Sequence, residues 1–264
     1  MNYRRLGKTD FEVSEISLGT WQVGGPWGSG FDDANAEAIL EDAIARGINF
    51  IDTADVYENR QSEASVGRVV RRHSERIYVA TKCGRFINPH VDEGYTPAAL
   101  RGYVEASLKN TGFEALDLIQ LHCPPPAVYH RPEIFGLFDD LKAEGKILNL
   151  GVSVEKVEEA LKAIEYPNVT TIQIIFNMFR QRPSELFFRE AARRDVGIIV
   201  RVPLASGLLT GRYDVGSTFG EGDHRHFNRD GAAFDKGETF SGIPFETGLA
   251  AVAQLKALFP GHDN

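Results

Sequence analysis

The chain has 264 residues, 25% of them charged, and a formal net charge of −8. That length suits one large α/β domain, which runs to about 250 residues, so a single domain over 1–264 is expected. The acidic balance argues against a nucleic-acid partner and against an anionic membrane surface, both of which call for a basic patch, and points to a small-molecule partner.

Residues 1–15 are polar and charged, without the apolar stretch of a signal peptide. No later segment approaches the roughly 18 consecutive apolar residues of a membrane span, so a cytoplasmic protein is expected. The two cysteines, Cys83 and Cys123, are too few for a disulfide framework and are expected to be reduced.

The pattern then runs in chain order. Gly7-Lys8-Thr9-Asp10 between two short alternating segments reads as a hairpin leading into a first strand over 15–18. Leu6-Gly7-Lys8-Thr9 imitates the end of a phosphate-binding loop, but Asn2 stands where an earlier glycine is required. Asp32 or Asp33 caps a helix through about residue 46, and Gly47 ends it before a buried strand over 48–51. The alternation continues with helix 62–72, strand 77–81, helix 97–110, strand 116–121, helix 132–144 and strand 147–152. Two more units follow: helix 154–164 with strand 171–175, and helix 184–194 with strand 197–202. Residues 203–244 show no periodicity and read as a long mobile loop, and 245–259 is an amphipathic helix.

Strict alternation of strands and helices predicts a parallel sheet covered on both faces, and the architecture expected is α/β, a (β/α)₈ TIM-type barrel with an N-terminal hairpin. Seven barrel strands are legible and no eighth. An open, doubly wound sheet is the alternative. It would place a G-x-G-x-x-G turn after the first strand, where this chain has Leu18-Gly19-Thr20-Trp21-Gln22.

In such a barrel the C-terminal ends of all strands open onto one face. Asp52, Lys82 and His122 each stand at the end of a strand, and Tyr57 follows Asp52 in the next loop. Each has a purely structural reading: a turn-capping aspartate, a snorkelling lysine, a core histidine. Their joint placement favours chemistry. A free phenol ionises near pH 10, and a neighbouring ammonium lowers that value. Tyr57 is therefore the candidate proton donor, with Lys82 beside it, Asp52 fixing Lys82, and His122 orienting a carbonyl oxygen.

On these residues the chain resembles the aldo-keto reductase family. The likeness rests on Gly19-Thr20-Trp21, Asp52-Thr53-Ala54 with Tyr57, Thr81-Lys82, Leu121-His122, Gly151-Val152-Ser153 and the run from Pro203 through Leu204, Ser206, Gly207 and Leu208 to Gly211. The resemblance implies a (β/α)₈ oxidoreductase that uses NADPH, or NADH, to reduce an aldehyde or ketone. It implies a tetrad of Asp52, Tyr57, Lys82 and His122. It also implies cofactor contacts at Gly19, Thr20 and Trp21, carboxamide contacts at Ser153 and Gln173, and a pyrophosphate held by backbone from Leu204 to Leu208.

Two positions depart from the family pattern: Val154 replaces an asparagine, and Arg201 stands where an aromatic residue stacks on the nicotinamide. The pattern also continues beyond residue 264 with an eighth strand, so a cofactor-binding or regulatory barrel with impaired turnover is the alternative function. No metal is expected, because His224 and His226 lack a partner cluster. A glycoside hydrolase would need two facing carboxylates, and the strand ends offer His122 and Arg201 instead. Trp21, Trp27 and Phe86 are candidate pocket aromatics.

Overall fold

The computed structural model describes residues 1–25 and 30–259; Trp27 lies outside them. Strands β1 (Tyr3–Arg5) and β2 (Glu12–Ser14) pair antiparallel across a 3₁₀ turn at Gly7–Thr9. This turn plugs the lower mouth of the sheet. Leu6, Phe11 and Val13 are buried there against Phe50, Ala80, Leu118 and Ile199.

Seven parallel strands follow in sheet order equal to chain order: β3 (Leu18–Gly19), β4 (Phe50–Asp52), β5 (Tyr78–Cys83), β6 (Leu116–His122), β7 (Ile147–Ser153), β8 (Val169–Ile175) and β9 (Gly197–Arg201). Between them run α1 (Asp33–Ala45), α2 (Gln61–Val70), α3 (Pro97–Thr111), α4 (Pro132–Ala143), α5 (Val157–Ala163) and α6 (Phe187–Arg193). The expected strand–helix alternation and hairpin are thus observed. Among the described residues β9 and β3 do not pair. A groove of about 670 Å³ runs along β9, lined by the hairpin, Ile16 and Phe50.

Local chemistry explains the helix ends. The Asp32 carboxylate accepts the Asn35 amide at the start of α1, and Thr96 does the same for Ala99 ahead of Pro97 in α3. Gly112 ends α3 at φ 70°, where a side chain would be strained.

Several boundaries differ from the sequence expectation. The first strand begins at Leu18 rather than residue 15, because β2 ends at Ser14, whose hydroxyl turns back onto the Ile16 carbonyl. β4 starts at Phe50 because Asn49 is held sideways, its side chain bonding the Ser14 amide and the Glu12 carbonyl. α5 begins at Val157 rather than 154: Glu159 reaches back to accept the amides of Glu155 and Lys156. α6 begins at Phe187, after Pro183 sets a separate 3₁₀ turn.

The largest difference is the segment 203–244, expected as an unstructured mobile loop. It contains 3₁₀ turns at Leu208–Thr210, Lys236–Glu238 and Phe240–Gly242 and a short helix α7 (His224–Phe227). It folds over its own core, in which Ala205, Leu208, Phe240 and Val252 are buried with Tyr213, Phe219 and Phe245 against them. Val252 and Phe245 belong to α8 (Phe245–Leu258), so helix and segment pack as one layer. Aromatic clustering has no helical or strand period, which is why the sequence pattern looked structureless.

Candidate active site

Strand register brings the polar side chains together. Gly19 pairs with Asp52, Lys82 with Gln120, His122 with Ser153, and Ser153 with Gln173. In a parallel barrel, inward-facing residues of different strands stack in layers, so these positions converge at the upper mouth.

Lys82 is 1% exposed, and all three of its N–H donors are used. Nζ donates to Asp52 Oδ2 at 2.6 Å, to the Thr53 carbonyl at 2.7 Å and to the Tyr57 hydroxyl at 3.2 Å. The Asp52 Oδ1 atom accepts from Gln120 at 3.1 Å and from Gln173 Nε2 at 2.9 Å. A buried ion pair is tolerable only when its remaining lone pairs and protons are satisfied, and here they are. The His122 ring stands edge-on to Tyr57, centroids 6.0 Å apart. The expected four residues therefore meet.

Their electrostatics depart from one expectation. Burial pushes the Tyr57 phenol above its usual value, and the pull of Lys82 does not reverse that, partly because Asp52 pushes the same way. The phenol thus stays protonated at neutral pH. Burial alone would lower the Lys82 ammonium, but Asp52 and Tyr57 carry it above its ordinary value. Burial, then the cations Lys82, Arg85 and Arg201, hold His122 well below the usual imidazole range, so the ring is neutral.

A cavity of about 220 Å³ opens over these groups, lined by Trp21, Tyr57, His122, Cys123, Ser153 and Arg201 among others. A second cleft of about 490 Å³ meets it at Tyr57, Gln173 and Arg201 and runs past Gly19 to Pro203. A Cβ added at Gly19 would meet nothing within 4 Å, so that strand end is open floor.

Other expected contact residues fall in two groups. Ser153 Oγ donates to Gln173 Oε1 at 3.3 Å, so this pair is joined. Thr20 is buried as a pin: its hydroxyl donates to the Asp52 carbonyl at 3.0 Å and accepts from Ser62 at 2.8 Å. Trp21 packs on His224, centroids 4.8 Å apart, and at 6.0 Å on Phe234. Phe86 instead packs on Tyr103 and Arg60, away from the cavity.

The run after β9 is unusual. Val202, Ala205, Ser206 and Gly207 all have positive φ, at 53°, 48°, 57° and 89°. A β-branched residue there is an outlier, and successive left-handed and right-handed residues form concavities suited to anions. Within this run the amides of Ala205, Gly207 and Leu208 already donate to Val202, Leu204 and Ala205. The Ser206 hydroxyl donates to the Glu238 carbonyl and accepts from the Phe240 amide, and Leu208 is buried in the aromatic layer. Pro203 and Leu204 face the groove beside β9.

Sequence reasoning missed three charged residues of the cavity lining, Arg85, Glu155 and Glu238. Arg201 is ion-paired with Glu238 and donates to the Val154 carbonyl at 2.8 Å. Arg85 and Glu155 lie two residues past β5 and β7, and the strand-end rule that found Lys82 and His122 would have found them too. Residue Glu238 carried no such signal, because it comes from the aperiodic segment.

The model of the Aldo/keto reductase family matches residues 15–263. The chain belongs to the aldo/keto reductase family. Its relatives include the aldo-keto reductase YhdN of Bacillus subtilis (strain 168), 31% identical over 98% of this chain and 76% of that protein. The NADH-specific methylglyoxal reductase of Escherichia coli (strain K12) is 31% identical over 78% of this chain and 68% of its own length. Among solved structures, the glycerol dehydrogenase AKR11B4 from Gluconobacter oxydans superposes with a TM-score of 0.78 at 31% identity, over 97% of this chain and 77% of that one. This aldo/keto reductase is thus an NAD(P)H-dependent oxidoreductase on the parallel barrel framework of its relatives. Among the described residues, no helix is long and apolar enough to cross a membrane, and no cluster of three or more histidine, cysteine or acidic side chains could hold a metal.

Proposed function

We propose that the chain reduces the carbonyl of a small aldehyde or ketone to an alcohol, with Tyr57 as the general acid. The observation that carries this is the Lys82 ammonium, bonded at once to Asp52 and to the Tyr57 hydroxyl. The phenol is the only one of the four groups that is both protonated at neutral pH and free to donate its proton into the cavity. Lys82 is committed to three acceptors and His122 is neutral.

A nicotinamide dinucleotide supplies the hydride. What supports a place for it is the cleft beside Gly19, its junction with the cavity at Tyr57 and Gln173, and the left-handed run from Val202 to Gly207. Gln173 and Ser153, already bonded to each other, are the residues proposed to hold its carboxamide, and Trp21, Arg201, Leu204 and Ser206 to flank it. NADPH is the proposed reductant; NADH is the alternative, because the Escherichia coli relative is NADH-specific.

His122 donates a hydrogen bond to the carbonyl oxygen and sets its direction relative to Tyr57. As negative charge develops on that oxygen, the Tyr57 proton transfers to it. The phenolate left behind is stabilised by Lys82, itself held charged by Asp52, and is reprotonated from solvent.

The test is spectrophotometric. Oxidation of NADPH and of NADH is followed against propanal, methylglyoxal and benzaldehyde, with Tyr57→Phe as control. Carbonyl-dependent oxidation that falls by at least about 100-fold in Tyr57→Phe, with unchanged far-ultraviolet circular dichroism, is the expected result. Cofactor binding without any turnover would favour a regulatory barrel instead.

A further inference from the structure

Two amide side chains hold the Asp52 carboxylate from inside the barrel. Its Oδ2 atom meets Lys82, while Oδ1 accepts from Gln173 at 2.9 Å and from Gln120 at 3.1 Å. Gln173 lines both the cavity and the cleft beside it. Gln120 is fully buried on β6, two residues before His122, and pairs in register with Lys82 on one side and with Gly151 on the other. Its amide reaches past β5 to the end of β4.

This arrangement leaves Gln120 half satisfied. An ionised carboxylate only accepts hydrogen bonds, so the amide nitrogen must face Asp52, and the amide oxygen Oε1 is left buried without a partner among the described residues. The Thr171 hydroxyl, across Gly151 in the same layer, is unpartnered too. A Cβ on Gly151 would stand 2.2 Å from Thr171 Oγ1 and 3.2 Å from Gln120 Cγ, so a glycine at this place makes room for both side chains. A buried acceptor without a donor destabilises the fold, and an apolar side chain of the same length would not carry that cost. A residue that weakens the core while holding a group of the site is one expected to serve the site.

We propose that Gln120 is a positioning residue for carbonyl reduction: by holding Oδ1 it turns Oδ2 of Asp52 onto Lys82, and so keeps the ammonium on the Tyr57 hydroxyl. Without it the carboxylate pivots on the one remaining amide, Gln173, and Lys82 follows Oδ2 away from the phenol. The contact most sensitive to such a shift is the longest of the three made by Nζ, the 3.2 Å bond to Tyr57. This rests on the carbonyl-reductase reading, in which Lys82 stabilises the Tyr57 phenolate.

The decisive substitution is Gln120→Met, which keeps the length of the side chain and removes both the donor and the orphaned acceptor. With propanal and NADPH or NADH, kcat is expected to fall at least about tenfold while KM stays within about twofold, because an interaction that matters only in the transition state is lost. The midpoint of urea unfolding is expected to be unchanged or higher. A packing role would do the reverse, lowering the midpoint and sparing kcat, and that result overturns the proposal.

Gln120→Glu gives a second reading where the first variant folds poorly. A carboxyl at this position faces Asp52 and Lys82, with Tyr57 and His122 beyond them and the uncharged Gly151, Thr171 and Gln173 on β7 and β8. Burial and Asp52 favour its protonated form, which still donates to Oδ1, whereas the ionised form repels it. Its kcat is therefore expected to decline as pH rises from about 6.5 to 9, and a kcat equal to that of the parent across this range overturns the proposal. Turnover by the parent that neither substitution alters sinks this proposal alone. Absence of turnover by the parent with either cofactor sinks the carbonyl-reductase reading and this proposal with it.

Discussion

The Lys82 ammonium touches Tyr57 twice, with Nζ 3.2 Å from the phenolic oxygen and 4.8 Å from the centre of the ring. The same ammonium is anchored by Asp52 at 2.6 Å. The phenol is nevertheless raised, because burial disfavours phenolate more strongly than one ammonium favours it. In the proposed reaction Lys82 would thus serve by stabilising the phenolate formed on proton transfer, not by emptying the phenol of its proton beforehand.

The pH dependence of reduction follows from these directions. Tyr57 is raised and remains an acid throughout the neutral range, while His122 is lowered and remains neutral there. Neither group changes state between about pH 6.5 and 9, so kcat for reduction is flat across that window. Initial rates in overlapping buffers check this; a limb near the ordinary histidine value would show that His122 titrates in the working enzyme.

Replacing Asp52 by Asn leaves the Lys82 ammonium, 1% exposed, without its carboxylate. Breaking one side of a buried pair costs about 3–5 kcal/mol, and Asp52→Asn should lose stability on that scale in denaturant unfolding. Lys82→Met, which removes the charge itself, is expected to cut carbonyl reduction by at least about 100-fold.

Asp55 offers a separate handle. Its carboxyl is fully buried and no side chain hydrogen-bonds it, and burial followed by the nearby Glu63 raises it from 3.8 to about 7, against Arg60, the Val56 amide and Lys82. In the unfolded chain the group ionises near pH 4, so between about pH 4 and 7 the native state binds more protons and stability falls as pH rises. At about 1.4 kcal/mol per tenfold, the full effect is about 4 kcal/mol. Asp55→Asn should remove this slope, so that melting temperatures of variant and parent converge near pH 4 and separate by pH 8, the variant being the more stable.

The ion pair from Glu238 to Arg201 ties the segment 203–244 to the end of β9, along with the bond from Ser206 to the Glu238 carbonyl. Glu238→Gln leaves the half-buried Arg201 charged and without its counter-ion, and the segment should open more often. Limited proteolysis within 203–244 is expected to accelerate by about tenfold, with cleavage elsewhere unchanged.

The strand–helix alternation, the hairpin and the four residues around Lys82 were legible because buried parallel strands are near-continuous apolar runs. A polar residue ending such a run has few places to go but the shared mouth. Asp32 and Gly47 marked the ends of α1 through local rules that need no knowledge of the rest of the chain. Boundaries at Phe50 and Val157 were not legible, because Asn49 and Glu159 set them through side-chain bonds.

By itself, then, the order of residues determined which strands form, in what succession, and which ionisable groups reach one face, since these follow from periodicity and strand polarity. Only the tertiary structure decided that Arg201 is neutralised by Glu238, that Arg85 and Glu155 line the same cavity as His122, and that the phenol is raised. Those outcomes depend on distances and desolvation between residues far apart along the chain, and neither quantity is written in local sequence.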